Sequence, residues 1–402
     1  MKTILRERYI SKIKPFVNTP VIKILTGMRR VGKSTLMMQI KDTLLTDVPS
    51  ENKIYINFEA FNFMSIKNSD ELKNYLQNIL KSKDSSAKLY FFFDEIQLVE
   101  NWERVINALR LNENYDIYIT GSNSNIISGE LSTLLAGRFV EFEIQPFVFS
   151  EYKEQYAHLH LTDDELFSNY IKYGGMPSLI YFNGNDDASF KYLNDVYNTV
   201  VVKDVMNHNQ IRDIDIFNRI MTFAVENIGH TFSASNIRNF LKSENRKVSV
   251  DTVLNYLDFL TKAFIVKKVS RYDTHGKNIL KTEEKYYLTD HGFRSSLGFS
   301  NVKDIERVLE NIIYIELLSR DYKVYIGKVQ NREIDFVAEK NGSKAYFQIS
   351  YLMESEKTRE REFSVFYDIK DNHPKYVLSM DKLDFSMNGI IHKNIIDFIN
   401  EL

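Results

Sequence analysis

An α/β fold with a parallel sheet in its amino-terminal third is what this sequence predicts, and three observations predict it. Between residues 21 and 146, short apolar runs alternate with helical patterns, the order that crossover helices impose on parallel strands. Several of those runs are apolar at nearly every position, Leu-Tyr-Phe-Phe-Phe at 89–93 above all, which suits strands covered on both faces. The first run leads directly into a glycine-containing loop and then an amphipathic segment, a strand–loop–helix unit. The expected strands are 21–26, 53–59, 89–93, 116–120 and 139–144, with helices at 34–45 and 102–111.

Beyond 146 the pattern is mostly helical as far as 229. It breaks once, at Tyr173-Gly174-Gly175-Met176-Pro177, where a glycine pair before proline dictates a turn. Two short helices follow, opened by the serine caps Ser233 and Ser249. Then come β-like runs at 264–270 and 285–289, flanking a polar hairpin around His275-Gly276. Two helices and a ribbon are the layout of a winged helix. Mixed helix and strand patterns return from Lys303. The expected division is therefore 1–146, 147–230, 231–295 and 296–402.

Bulk properties narrow the chemistry. The 402 residues are 44% hydrophobic and 26% charged, enough to bury a core without a disulfide or metal staple. The absence of cysteine excludes disulfides, thiolate zinc sites and a cysteine nucleophile. A formal charge of −2 does not describe a polyelectrolyte, so any nucleic-acid contact needs a local basic surface. The 28 Phe and 24 Tyr are dispersed along the chain and read as core. The first residues are basic, without a long apolar run or small-residue cleavage site, and no stretch approaches the roughly 20 apolar residues of a membrane span. A cytoplasmic location is the expectation. His158 and His160 stand two apart with no further histidine near them, so no zinc site is assigned.

Gly27-Met28-Arg29-Arg30-Val31-Gly32-Lys33-Ser34 fits the phosphate loop G-x-x-x-x-G-K-[ST] without deviation. Glycines let backbone amides approach phosphate, the lysine reaches the β/γ-phosphates, and the hydroxyl of Ser34 binds magnesium. Gly27, Arg29, Arg30, Val31, Gly32, Lys33, Ser34 and Thr35 are thus expected around ATP. The buried run at 89–93 ends in Asp94-Glu95. An aspartate there holds Mg2+ together with Ser34, and the next carboxylate activates water. The run at 116–120 ends in Thr120-Gly121-Ser122-Asn123, small polar residues at the carboxyl edge of the sheet. One of Thr120, Ser122 or Asn123 is expected to sense the γ-phosphate or position the water, with Ser122 and Asn123 preferred. Arg138 offers positive charge to the transition state, in cis or from a neighbouring subunit, or a structural salt bridge.

Together, IKILTGMRRVGKST, Asp94–Gln97 with Trp102-Glu103, Thr120–Ser124, LAGR at 135–138 and YGGMP at 173–177 resemble the prokaryotic AAA+-like ATPases with a C-terminal domain of unknown function. The resemblance spans nearly the whole chain. It implies an ASCE-type core, in which a strand lies between the phosphate-loop strand and the Asp94-Glu95 strand. It also implies a winged helix and a restriction-endonuclease-like domain behind that core.

A nuclease core of that type needs a helix acid, a strand aspartate and an (E/Q)-x-K strand. Glu310 or Glu316 is the candidate acid and Asp335 the aspartate. Gln348-Ile349-Ser350 lacks the lysine, with Lys344 or Lys357 as the remaining substitutes, so a fold without cleavage is expected. In the winged-helix region Arg238, Lys242, Arg246, Lys247, Lys262, Lys267, Lys268 and Arg271 are candidates for DNA phosphate. Asp251 and Asp258 lie on the would-be recognition helix. The leading function is an Mg-ATP hydrolase moving these distal regions against nucleic acid or a protein partner, with oligomerisation open. A slow ATP-dependent switch that recruits partners is the alternative, and an ATP-regulated nuclease the second.

Overall fold

The computed structural model describes residues 3–402 apart from 85, 123–125, 127–134, 136, 201–204, 207–210, 212, 275 and 277. The chain divides into two compact units, Met1–Gln145 with Lys262–Phe264 and Pro146–Thr261 with Ile265–Leu402.

The first unit runs α1 (Glu7–Ile13), β1 (Ile22–Thr26), α2 (Lys33–Thr43), β2 (Lys53–Asn57), α3 (Ser69–Leu80), β3 (Leu89–Asp94), α4 (Trp102–Leu109), β4 (Tyr115–Thr120) and β5 (Phe139–Glu143). The strands form one sheet in the order β2-β3-β4-β1-β5, every pair parallel. β4 therefore lies between the phosphate-loop strand and the acidic strand, as the resemblance implied. All six residues of β3 are buried, which explains its unbroken apolar run. One face of the sheet, with Ile24, Phe91, Phe93 and Ile119, packs on Leu72 and Leu76 of α3 and Trp102 and Ile106 of α4. α3 has no counterpart in the expected elements. Asn68 starts it by accepting from the amides of Asp70 and Glu71.

One charge sits where the pattern called for an apolar residue. Lys23 of β1 and Asp116 of β4 form an ion pair with both side chains fully buried. Asp116 also accepts from the Asn18 amide at 2.8 Å and the Tyr118 hydroxyl at 3.2 Å.

The second unit opens with helices Phe149–Tyr156, Asp163–Tyr173, Asp186–Val200 and Ile214–Glu226. Helices Ala234–Ser243 and Val250–Lys262 begin at the predicted caps: the Ser233 and Ser249 hydroxyls accept from the amides of Asn236 and Thr252. β6 (Val266–Asp273), β7 (Asn278–Leu288), β8 (Lys323–Val329), β9 (Arg332–Lys340), β10 (Ser343–Ile349), β11 (Lys375–Ser379) and β12 (Ile391–Asn394) form a mixed sheet in the order β12-β11-β10-β9-β8-β6-β7. The ribbon is longer than the two β-like runs suggested; Gly276 lies in its turn and His275 falls outside the described residues. β6 runs parallel to β8, with Arg271 opposite Ile326, so the boundary expected at 295–296 falls within one continuous sheet. Pairing with β8 satisfies backbone groups that a free-standing ribbon edge would expose. Among the described residues, no helix is long and apolar enough to cross a membrane.

The Gly174-Gly175 break is a close backbone approach. A Cβ on Gly175 would lie 2.1 Å from the Phe147 carbonyl oxygen, so only glycine fits. The buried Asp290 carboxylate accepts from the Gly175 amide at 2.9 Å and the Gly292 amide at 2.8 Å, pinning the turn. Burial pushes the Asp290 carboxyl from 3.8 up to about 7, against the pull of those two amides. Below pH 3.8 both folded and unfolded chains hold this proton. Between 3.8 and 7 only the folded chain does, so its contribution to stability falls as pH rises through that window and levels off above it. In urea unfolding, the wild type should lose about 2–3 kcal/mol more than Asp290→Asn between pH 5 and pH 8. Equal losses in the two proteins would show that Asp290 is ionised in the folded state throughout.

Candidate functional site

The phosphate loop sits at the carboxyl end of β1 and turns into α2. Gly27 has φ +132°, and a Cβ there would lie 2.2 Å from the Ile144 carbonyl oxygen. Gly32, at φ +95°, is the residue before α2, and no side chain caps that helix end. Amides at an uncapped helix start suit an anion. Lys33 is buried, with its ammonium donating to the carbonyls of Gly27 and Met28 at 3.0 Å each, and lying 3.9 Å from Glu95 Oε1. Ser34 Oγ donates to Asp94 Oδ1 at 3.0 Å.

Asp94 is the hub. Thr120 Oγ1 donates to its Oδ1, while Tyr55 and Asn57 of β2 donate to Oδ2 at 2.7 and 3.2 Å. Burial and then the bond to Asp94 push the Tyr55 phenol above its usual value, so it stays a donor. Glu95 follows with left-handed backbone, φ +56°. Its amide donates to Thr120 Oγ1 at 2.8 Å, and Gln97 Nε2 donates to its Oε2 at 2.5 Å.

A hydroxyl and a carboxylate 3.0 Å apart, Ser34 Oγ and Asp94 Oδ1, are hard oxygen ligands that fit magnesium, with Tyr55, Asn57 and Thr120 orienting the carboxylate. Ser34 Oγ and Asp94 would hold the ion. Lys33 and the loop amides would hold phosphate in place of the carbonyls and carboxylate that engage Lys33 here.

Of the three sensor candidates, the structure brings Thr120 to Asp94. Ser122 lies behind Gln97, 3.4 Å from its Nε2, and Asn123 falls outside the described residues. Thr120, the last residue of β4, is in hydrogen-bonding reach of Asp94. Arg29 is ion-paired with Glu59 at 3.5 Å, Arg30 has φ +65°, and Thr35 is exposed in the first turn of α2.

Arg138 is the expected residue that the fold keeps away. It precedes β5 and its carbonyl accepts from the Ile22 amide, at the amino end of β1. The loop leaves the other end, where Thr26 pairs with Glu143. Four strand residues separate the two edges by about 13 Å. The fold thus sets the Arg138 backbone at the opposite end of β1 from the loop, and its side chain donates to Asn107 Oδ1 at 3.4 Å.

Sequence reasoning missed the support behind the loop. Arg6 Nη1 donates to the Val31 carbonyl at 3.1 Å, and Gln39 of α2 bonds both the Arg6 amide and the Ile4 carbonyl. These contacts join segments far apart in sequence, and no local pattern signals them.

The second unit holds a second acidic cluster. Glu310, on helix Ile305–Ser319, accepts from the Tyr287 hydroxyl at 3.0 Å. Asp335 of β9 accepts from the Ile349 amide at 2.7 Å. Glu316, the other candidate acid, instead accepts from the Phe149 amide and pairs with Arg320. A lysine does enter this cluster, but from β7: Lys285 lies 2.7 Å from Glu333 and 3.4 Å from Glu310. Burial opposes its charge, yet Glu310, Asp335 and Glu333 push its pKa above the usual lysine value. Burial, with Glu310 beside it, drives the Asp335 carboxyl well above the usual range. Among the described residues, no three His, Asp or Glu side chains are arranged to hold a metal. Lys344 bonds the Tyr272 hydroxyl rather than this cluster.

Comparison with known proteins agrees with this layout. A model of the AAA domain matches residues 19–153, and a domain of unknown function matches residues 164–304. An uncharacterized protein of Haemophilus influenzae is 39% identical over 93% of this chain and 92% of its own. One from Methanocaldococcus jannaschii is 30% identical over 86% of this chain and 78% of its own. A Walker-type ATPase of Pyrococcus abyssi shares the fold, with a TM-score of 0.51 at 16% identity over 74% of this chain and 96% of that one. The chain therefore belongs to the AAA+-like P-loop ATPases that carry a domain of unknown function behind the AAA domain.

Proposed function

We propose that this chain binds Mg-ATP, hydrolyses its β–γ phosphoanhydride, and uses turnover to move its distal regions against a partner. The observation that carries the reading is the pairing of Asp94 with Ser34 and of Glu95 with Lys33 at one end of one parallel sheet. Water attacks the γ-phosphorus and gives its proton to Glu95, while the bond to the bridging oxygen breaks and ADP leaves with the electron pair. Lys33 and the loop amides stabilise the charge that develops on the phosphate oxygens. Ser34 and Asp94 would hold a magnesium ion, which would supply positive charge to the phosphate oxygens. With its own loop at the other end of β1, Arg138 supplies its charge to the site of a neighbouring copy.

The regions set in motion are 147–230, a winged helix at 231–295 and a restriction-endonuclease-like domain at 296–402. Charge favours a protein partner over DNA on the helix Val250–Lys262. Its exposed positions carry Asp251, Leu254, Asn255, Asp258 and, at the last residue, Lys262, so carboxylates outnumber basic side chains there. Elsewhere Arg246 pairs with Asp215, Lys268 with Glu284, and Arg271 with Glu333. The nuclease reading loses ground because Lys285 is committed to Glu310 and Glu333. A slow switch is the second reading, since Lys33 and both Glu95 oxygens are engaged with protein groups.

Phosphate release by the purified chain tests the proposal, measured with Mg2+ alone, with DNA and with cell extract. Multiple turnovers that need Mg2+ support it, and tight ATP binding without release moves the function to the switch. Plasmid remaining intact in Mg2+ or Mn2+ is expected throughout.

A further inference from the structure

Resting on the ATPase reading, we propose that Gln97 is the positioning residue for Glu95. Its carboxamide holds one carboxylate oxygen so that the other meets the attacking water. A carboxylate acting as base needs a fixed orientation, because misplacement by about an ångström costs orders of magnitude in rate. Glu95 has little else to fix it. Its backbone is left-handed, a conformation that a non-glycine residue keeps only when its surroundings hold it there.

The two oxygens of Glu95 have different partners. Oε1 faces the Lys33 ammonium at 3.9 Å, and Oε2 accepts from Gln97 Nε2 at 2.5 Å. When Lys33 turns to the β/γ-phosphates, Oε1 is released on the side where phosphate arrives, while Oε2 stays tethered. The tether is itself anchored: Gln97 Nε2 lies 3.4 Å from Ser122 Oγ, just beyond β4, and Ser122 is buried. The same strand, through Thr120 Oγ1, holds the Glu95 amide and the Asp94 carboxylate. Gln97 thus ties the side chain of the base to the strand that already ties its backbone. Among the described residues, no hydrogen-bond partner reaches the buried Gln97 Oε1 atom.

Steady-state ATP hydrolysis by the full chain tests this. The variants are Gln97→Met, which keeps the volume and loses the donor, and Gln97→Leu, which also loses the donor. Each should lower kcat about tenfold or more while KM stays within about twofold, because the base is misaimed and the phosphate grip is untouched. In a Glu95→Gln background, Gln97→Met should cause no further loss, since it acts through Glu95. Wild-type kcat in both single variants overturns the inference, as does an equal loss with and without Glu95. If the wild type turns over no faster than Lys33→Ala, the ATPase reading has failed first. If Glu95→Gln is silent and Gln97→Met is slow, Gln97 itself touches the water and the positioning role falls.

Discussion

Glu95→Gln is expected to slow ATP hydrolysis by about 10²- to 10⁴-fold, the usual share of a general base, while ATP still binds. The substitution keeps the side chain's shape and its contact with Gln97, and removes only its ability to take a proton. Lys33→Ala should be worse in kind. It removes the one ammonium within reach of both the loop carbonyls and Glu95, so phosphate affinity and transition-state charge are lost together. Isothermal titration with Mg-ATP and a coupled phosphate assay separate the two effects. Binding retained with turnover lost in Glu95→Gln, and both lost in Lys33→Ala, is the expected pair. A Glu95→Gln protein that hydrolyses at the wild-type rate would remove Glu95 as base and leave Asp94 to magnesium alone.

The parts of this site that could be read in the sequence are those whose chemistry is written locally. Gly27 to Ser34 is a contiguous loop, and Asp94-Glu95 closes a buried strand whose five preceding residues, 89–93, carry no charge. The order β3-β4-β1 was implied by resemblance, not by any periodicity. What stayed hidden depends on strand pairing. Tyr55 and Asn57 reach Asp94 because the end of β2 lies in register with the end of β3. Arg138 looked usable because proximity in sequence to a site-bearing strand says nothing about which end of that strand is meant. In the second unit the sequence offers Ser350 where the lysine is expected, with Lys344 and Lys357 as substitutes from other positions. The lysine enters instead as Lys285 from β7, which belongs to the same sheet.

The pair Lys23–Asp116 was hidden for the same reason, and it carries the second large effect. Asp116→Ala should destabilise the first unit by about 3–5 kcal/mol. The carboxylate answers three groups, the Lys23 ammonium, the Asn18 amide and the Tyr118 hydroxyl, in a fully buried position. Burial already lowers the Lys23 pKa, and Asp116 is what opposes that. Without it, the lysine must give up its proton or stay charged inside a sheet, with the Thr19 carbonyl, at 3.2 Å, as its further acceptor among the described residues. Replacing both partners with apolar residues, as in Lys23→Met with Asp116→Leu, removes the stranded charge and should recover most of the loss. The reporter is built in: Trp102 is the only tryptophan and is buried in the core of this unit. Its fluorescence in urea follows the first unit whatever the second is doing, which matters because a two-unit chain need not unfold in one step. If Asp116→Ala and the double variant unfold at the same urea concentration, the cost lies in lost packing and backbone contacts, and the unpaired lysine is not its source.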